Sequence, residues 1–250
     1  MSATLRATAI GAVAAAVLST MATAPAVASA APAFRMTPVM SHHMVGGVRN
    51  STSGNWAGYA ASGGTYTSVT SSWVQPKVTC TSATTYSSFW VGIDGDGSNS
   101  VEQTGTEADC YGGAAYYSSW YEMYPAYPVN YSNVVAPGDH FTATVSTTGT
   151  GSFTMTLKDV TRGWTKTTTK SSSTAELYSA EVIAEAPSSS SGVLPLSNFG
   201  TVNFTGSKVN GQAIGNFGPD AITMASGSTT KATTSGLTSG TNFSCTWKHR

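Results

Sequence analysis

Charge is sparse in this 250-residue chain: Asp, Glu, Lys and Arg make up 10% of it, with twelve of each sign. A net charge of zero excludes electrostatic capture of nucleic acid, which needs a basic surface. Low charge and 10% aromatic residues also exclude disorder, which needs high charge and few aromatics. Histidine is scarcer still, and past residue 50 only His140 and His249 remain. His249 is penultimate and His140 follows a turn, so a Ser/His/Asp triad is not expected despite the many serines. The chain has no HExxH, GxSxG, phosphate loop or dinucleotide fingerprint. Its three cysteines form no CxxC or Cys/His pattern, so neither a metal nor a cofactor is expected.

Long apolar runs are also missing. The one at the N-terminus, Ala9 to Leu18, is broken by Thr20, Thr23 and Pro25, well short of the roughly 20 residues a membrane span needs. It follows the single positive charge Arg6 and precedes Ala28-Ser29-Ala30. This order describes a secretory signal peptide over residues 1–30, hence a secreted protein with no membrane association after cleavage. Residues 31–50 hold three Met, two Pro, two Arg and the pair His42–His43, without strand alternation. They read as a pro-segment or flexible lead-in, with the histidine pair incidental. Export permits disulfides. Three cysteines allow three pairings; the expected one is Cys80–Cys110, leaving Cys245 near a frayed C-terminus. Closing that loop of about 30 residues stabilises by about 3–4 kcal/mol on the chain-entropy view.

From residue 51 to 250 the pattern is one domain of short strands and turns. Val69, Ser71 and Trp73 alternate with polar neighbours, as do Phe141, Ala143 and Val145, then Phe153, Met155 and Leu157, then Val202 and Phe204. Period-two alternation with Thr on the wet face indicates half-buried antiparallel strands. Gly63-Gly64, Gly95-Asp96-Gly97, Pro137-Gly138-Asp139 and Gly218-Pro219 separate them. Thr167–Thr174 and Ser188–Ser191 read as low-complexity loops, the second as a flap. The fold expected is all-β, a two-sheet antiparallel β-sandwich (jelly-roll, concanavalin-like) rather than a closed barrel.

Against this bland background one stretch stands out. Between Val78 and Leu157 there are seven Asp or Glu and no Lys or Arg, and five of the acids fall within Asp94–Asp109. Trp90, Trp120 and Tyr121 lie close by, as does Gln103. Like charges crowded this way destabilise a fold unless something uses them. A second acidic stretch, Ala180 to Pro187, has strand alternation that puts Glu181, Ile183 and Glu185 on one face. Val101 and Gln103 likewise share a face while Glu102 points away. A twisted sheet with a concave face could bring Gln103 and Glu185 together.

Five blocks in order carry a more specific signal: Asn55-Trp56-Ala57-Gly58, Phe89 to Gly95, Val101 to Gly105, Trp120 to Pro125, and Ala180 to Glu185. In order and spacing, from about Asn55 to Phe204, they resemble the glutamic peptidase (eqolisin) family, here a secreted member of bacterial type. The resemblance implies a β-sandwich endopeptidase that works at acid pH without metal through a Gln–Glu dyad. Carried over by motif, the dyad is Gln103 and Glu185, with Trp90, Asp94, Glu107, Trp120, Tyr121 and Glu122 as supporting or substrate-binding neighbours. Substrates would be proteins or peptides, acted on by a monomer. Two departures stand. The family places Asp four residues after the dyad glutamine, where this chain has Glu107, and its fungal members are strongly acidic, whereas this chain is neutral.

The dyad also makes chemical sense. A carboxylate can take a proton from water attacking a peptide carbonyl and return it to the leaving amine. A glutamine amide cannot titrate, so it donates to the developing oxyanion at any pH. Two rival readings use the same residues. In a carbohydrate-active jelly roll, Glu122 and Glu185 would be acid and nucleophile, with Trp and Tyr as sugar platforms. In a non-catalytic secreted binding module, the aromatics alone would matter.

Overall fold

The computed structural model describes residues 52–149, 151–190 and 192–250, together with Met1. Apart from Met1, the expected signal peptide (1–30) and lead-in (31–50, with His42 and His43) lie outside the described residues. Thirteen strands of five residues or more follow one another: β1 (Trp56–Ser62), β2 (Ser68–Val74), β3 (Ser88–Ile93), β4 (Val101–Tyr111), β5 (Ala114–Tyr124), β6 (His140–Thr147) and β7 (Ser152–Asp159), then β8 (Trp164–Ser171), β9 (Ser179–Glu185), β10 (Thr201–Val209), β11 (Asp220–Ser226), β12 (Thr229–Thr234) and β13 (Phe243–Trp247). The 3-10 turn Ile214–Phe217 is the one helical element among the described residues, and no helix there is long and apolar enough to cross a membrane.

Hydrogen bonding runs unbroken through the order β8-β7-β6-β2-β10-β13-β12-β11-β1-β9-β3-β4-β5, antiparallel at every step. β11 belongs to both halves of this path: Asp220–Ile222 pair with β1 and Met224–Ser226 with β12. There the sheet folds over on itself, so that β3 lies over β6, β4 over β7 and β9 over β2. The result is the expected two-layer sandwich. Its ends are β5, extended by the short strand Val129–Asn130, and β8, which among the described residues pairs with β7 alone.

Alternation explains the core. Phe89, Val91 and Ile93 of β3 and Ala180, Val182 and Ala184 of β9 face Val69 and Trp73 of β2, Phe141, Ala143 and Val145 of β6, and Phe153, Met155 and Leu157 of β7. Each buried Phe, Leu or Met contributes about 1.5–3 kcal/mol of transfer free energy. Ser71 points inward among them and is satisfied by Ser207, the hydroxyls 2.9 Å apart. On the outer face the threonines pair across strands, Ser72 with Thr142 at 2.8 Å and Thr70 with Thr144 at 2.9 Å.

Two expectations from the sequence are corrected here. Most of the run read as a low-complexity loop, Thr167–Thr174, is strand: Thr167 to Ser171 complete β8, in register with Ser152 to Thr156. Threonine is a strong β-former, and a polar run with one wet face needs only one neighbour to become an edge strand. Cys245 is not in a frayed terminus either. It is fully buried in β13, its thiol donating toward the Ala57 carbonyl, and burial pushes that thiol up to about 12. The Cys80–Cys110 disulfide is present, the Cα atoms 5.4 Å apart. Ser188–Ser189 form a small hairpin with Gly192–Val193.

Candidate active site

The outer face of β11, β1, β9, β3, β4 and β5 carries a second hydrophobic cluster, separate from the core: Trp56, Ala60, Trp90, Val101, Trp120, Ile183 and Ile222. Register decides who joins it. One row across the sheet reads Glu181, Gly92, Gln103, Glu122; a second reads Trp56, Glu185, Ser88, Glu107, Ser118; the row between them holds Ile183, Trp90, Gly105 and Trp120. All three rows point to the same face, because they sit two residues apart along each strand. Gln103 and Glu185 therefore flank Trp90, one on either side.

Two glycines make this arrangement possible. A Cβ at Gly105 would stand 2.2 Å from the Phe89 carbonyl oxygen and 2.6 Å from the Trp90 Cβ. One at Gly92 would stand 2.9 Å from the Trp90 ring and 3.2 Å from the Gln103 Cβ. The indole of Trp90 thus lies over bare backbone and meets Trp56 edge-on, ring centroids 5.0 Å apart.

Glu185 is held by two donors. Asn55 Nδ2 donates to Oε1 at 3.0 Å and Trp90 Nε1 to Oε2 at 2.8 Å. Asn55 is itself oriented, since Ser53 Oγ donates to its Oδ1 and its carbonyl accepts from the Ala186 amide. Burial pushes the Glu185 carboxyl up to about 7, opposed by Trp90, Trp56, Asn55 and Ser88. Gln103 Nε2 donates to Glu122 Oε2 at 2.7 Å, while Gln103 Oε1 and Glu122 Oε1 have no hydrogen-bond partner. Burial, and after it the charge of Glu185, raises the Glu122 carboxyl well above its ordinary range. Gln103, Glu122 and Glu185 are each at most 3% exposed.

Glu107 shares this face on the far side of Ser88 from Glu185, accepts from Ser118 Oγ at 2.8 Å, and is pushed by burial up to about 7. Asp109, two residues on, is raised by burial and by Glu107, and accepts from the Ser87 amide. Glu181, at the far end of the Gln103 row, is fully buried with both carboxyl oxygens unpartnered, and burial raises it strongly.

Among the sequence-selected residues, then, Trp90, Gln103, Glu107, Trp120, Glu122 and Glu185 share one face. Tyr121 and Asp94 do not join them. Tyr121 alternates with Trp120 and Glu122, so it turns to the opposite side, against Tyr131 at 5.7 Å and under Lys170. Asp94, with φ of 65°, closes β3 and accepts three backbone amides, those of Glu176, Leu177 and Tyr178. Its carboxylate fixes the lead-in to β9. Asn55, Trp56 and Ser88 also belong to the site; the Asn55–Trp56 block is conspicuous in the sequence, whereas no motif marks Ser88. No group of three or more ligand-type side chains suited to a metal occurs among the described residues.

A two-layer antiparallel sandwich bearing carboxylates, one amide and tryptophans on one shared face defines a class, and the chain belongs to the Peptidase A4 family, whose model matches residues 54–247. Aspergillopepsin-2 of Aspergillus niger is a relative, 32% identical over 177 residues, or 61% of this chain and 63% of that protein. The chain thus spans less than two thirds of the length of that curated relative. Scytalido-glutamic peptidase, solved with a transition state analog inhibitor, superposes with a TM-score of 0.69 at 26% identity, covering 78% of this chain and 98% of that one. Aspergilloglutamic peptidase from Aspergillus niger gives 0.59 at 28% identity, covering 65% and 99%.

Proposed function

We propose that this chain is a secreted, monomeric glutamic endopeptidase that cleaves protein or peptide substrates with Gln103 and Glu185, in the weakly acid range and without a metal. The observation that carries the reading is the shared face: an amide with a free carbonyl oxygen and a carboxyl held by Asn55 and Trp90, on either side of one tryptophan.

In this mechanism ionised Glu185 takes a proton from water as its oxygen bonds to the substrate carbonyl carbon. It then gives that proton to the amine as the C–N bond breaks. Gln103 has two amide hydrogens; one is engaged by Glu122, and the other is available to the oxyanion, while Oε1 accepts from the water. A glutamine suits the place because it stays neutral beside Glu122 and Glu185, whereas a third carboxyl there would have to share a proton. Since Glu185 is pushed up to about 7, its base form grows as pH rises, so turnover climbs from strongly acid toward weakly acid conditions.

Casein digestion over roughly pH 2–7, with pepstatin present, tests the reading. Wild type should digest casein, while Glu185→Gln and Gln103→Ala lose about 10²–10³-fold or more. If Gln103→Ala were nearly as active as wild type, the dyad would be wrong.

A further inference from the structure

The many buried acids have a single counterpart of opposite sign. Among the described residues Lys231 is the only buried cation, 7% exposed, and burial alone pushes its ammonium below the usual lysine range. The ion pairs there join Arg162 to Asp139 and Asp159; Lys231 has none, and no side-chain hydrogen bond. Its ammonium is nevertheless not sealed from solvent, unlike the buried carboxyl oxygens of Glu102 and Glu181.

The local chain explains where that opening leads. Lys231 is the third residue of β12, just after the tight turn from β11. Its carbonyl accepts from the amides of both Lys248 and His249, at 2.7 and 3.1 Å, which lays the segment after β13 beside it. Lys231, His249 and Arg250 consequently line one cavity of about 350 Å³, with the hydroxyl residues Ser226 and Thr229 and a wall made by residues 193–195. No Asp or Glu side chain lines it. A buried ammonium without an acceptor is costly. Here it belongs to the lining of a chamber furnished with further donors.

We propose that this cavity is an anion site, in which Lys231 and Arg250, with His249 and the two hydroxyls, hold a small oxyanion: phosphate, sulfate or a carboxylate. Lysine supplies a point charge and arginine a planar fork, the pairing that suits an ion with several acceptor oxygens. The wall of the cavity is tied to the strand bearing Glu185, because the Leu194 amide donates to the Pro187 carbonyl at 2.8 Å. A bound anion therefore braces the hairpin that follows that strand.

Thermal unfolding of the full chain, titrated at constant ionic strength with inorganic phosphate and separately with acetate, tests this. Wild type should show a Tm rise that saturates. Lys231→Met should weaken that response at least about tenfold, the loss of one charge-assisted bond. Its Tm without phosphate should be unchanged or higher, since a lone buried charge is removed. Lys231→Arg should keep the response; if Lys231→Met fails to fold, Arg250→Ala, at an exposed residue, carries the same comparison. Saturation with phosphate alone assigns a tetrahedral anion, and saturation with both assigns any oxyanion. Phosphate also stabilises proteins by exclusion from their surface. A rise that never saturates and is equal in wild type and Lys231→Met, or no rise at all, overturns the proposal. The readout is unfolding and not turnover, so its failure is separable from failure of the peptidase reading.

Discussion

Trp90 contributes twice to the site, its ring covering Gly92 and its Nε1 donating to Glu185. Replacing it by Phe keeps most of the packing but removes a donor that favours the ionised carboxylate, so the Glu185 carboxyl titrates higher. The acid limb of the kcat/KM–pH profile should move to higher pH by about one unit, the value of one hydrogen bond to a charged group. Glu122→Gln should behave differently. Burial, and after it the charge of Glu185, raises Glu122, which favours its neutral form while, in the proposed mechanism, Glu185 acts as base. A neutral amide then replaces a neutral acid, and Gln103 keeps an acceptor. The acid limb should stay in place and kcat/KM fall by less than about tenfold, roughly the worth of one neutral hydrogen bond. In a glycosidase using Glu122 as its acid the same substitution would abolish turnover, which the same pH series would reveal.

At the scale of strands, what holds Gln103 and Glu185 on one face is register, and register rests on small residues. Gly105→Ala puts a methyl 2.2 Å from the Phe89 carbonyl oxygen and must push β3 from β4. We expect a loss of about 1–3 kcal/mol in urea unfolding, the usual cost of overpacking, with activity lost alongside. Reducing the Cys80–Cys110 link, or replacing both by Ser, should cost about 3–4 kcal/mol in the same assay, given its loop of 30 residues. Strand faces were legible beforehand. Alternation alone put Glu181, Ile183 and Glu185 together and separated Glu102 from Gln103. The same alternation, applied strictly, would also have sent Tyr121 away from Trp120. What the chain could not disclose was non-local. That Asn55 meets Glu185 depends on the β1–β9 pairing, and that Asp94 clasps residues 176–178 depends on β3 ending beside the start of β9. The polar run of β8 carried no apolar stripe to betray it as a strand.

For the whole molecule the decisive quantity is the number of carboxyls buried without cations. Glu102, pushed by burial and then by Asp94 to about 8, joins Glu107 and Glu185 near 7, and Asp96, Asp109, Glu122 and Glu181 are also raised. Groups whose pKa rises on folding hold more protons in the native state. Their contribution is complete below the ordinary carboxylate range near 4.5 and is lost as pH climbs through about 7–8. Stability should therefore decline by several kcal/mol from about pH 4 to pH 8, read as a falling Tm. A Tm that rose over that interval would contradict the burial of these acids. Under the proposed mechanism the profile of turnover is bounded below by protonation of Glu185 and above by the fold giving way.

One last consequence comes from the way the hydrogen-bonded path ends. β5 is flanked by Val129–Asn130, but among the described residues nothing pairs with the outer edge of β8, which leaves a row of amides and carbonyls open to an extended chain. Unguarded rims of this kind recruit further copies into ribbons. Here the rim carries Lys166 and Lys170 among its threonines, so a second molecule aligning the same segment would set ammonium against ammonium. The molecule thus carries its own deterrent to stacking, written in two lysines of a strand that touches no part of the site.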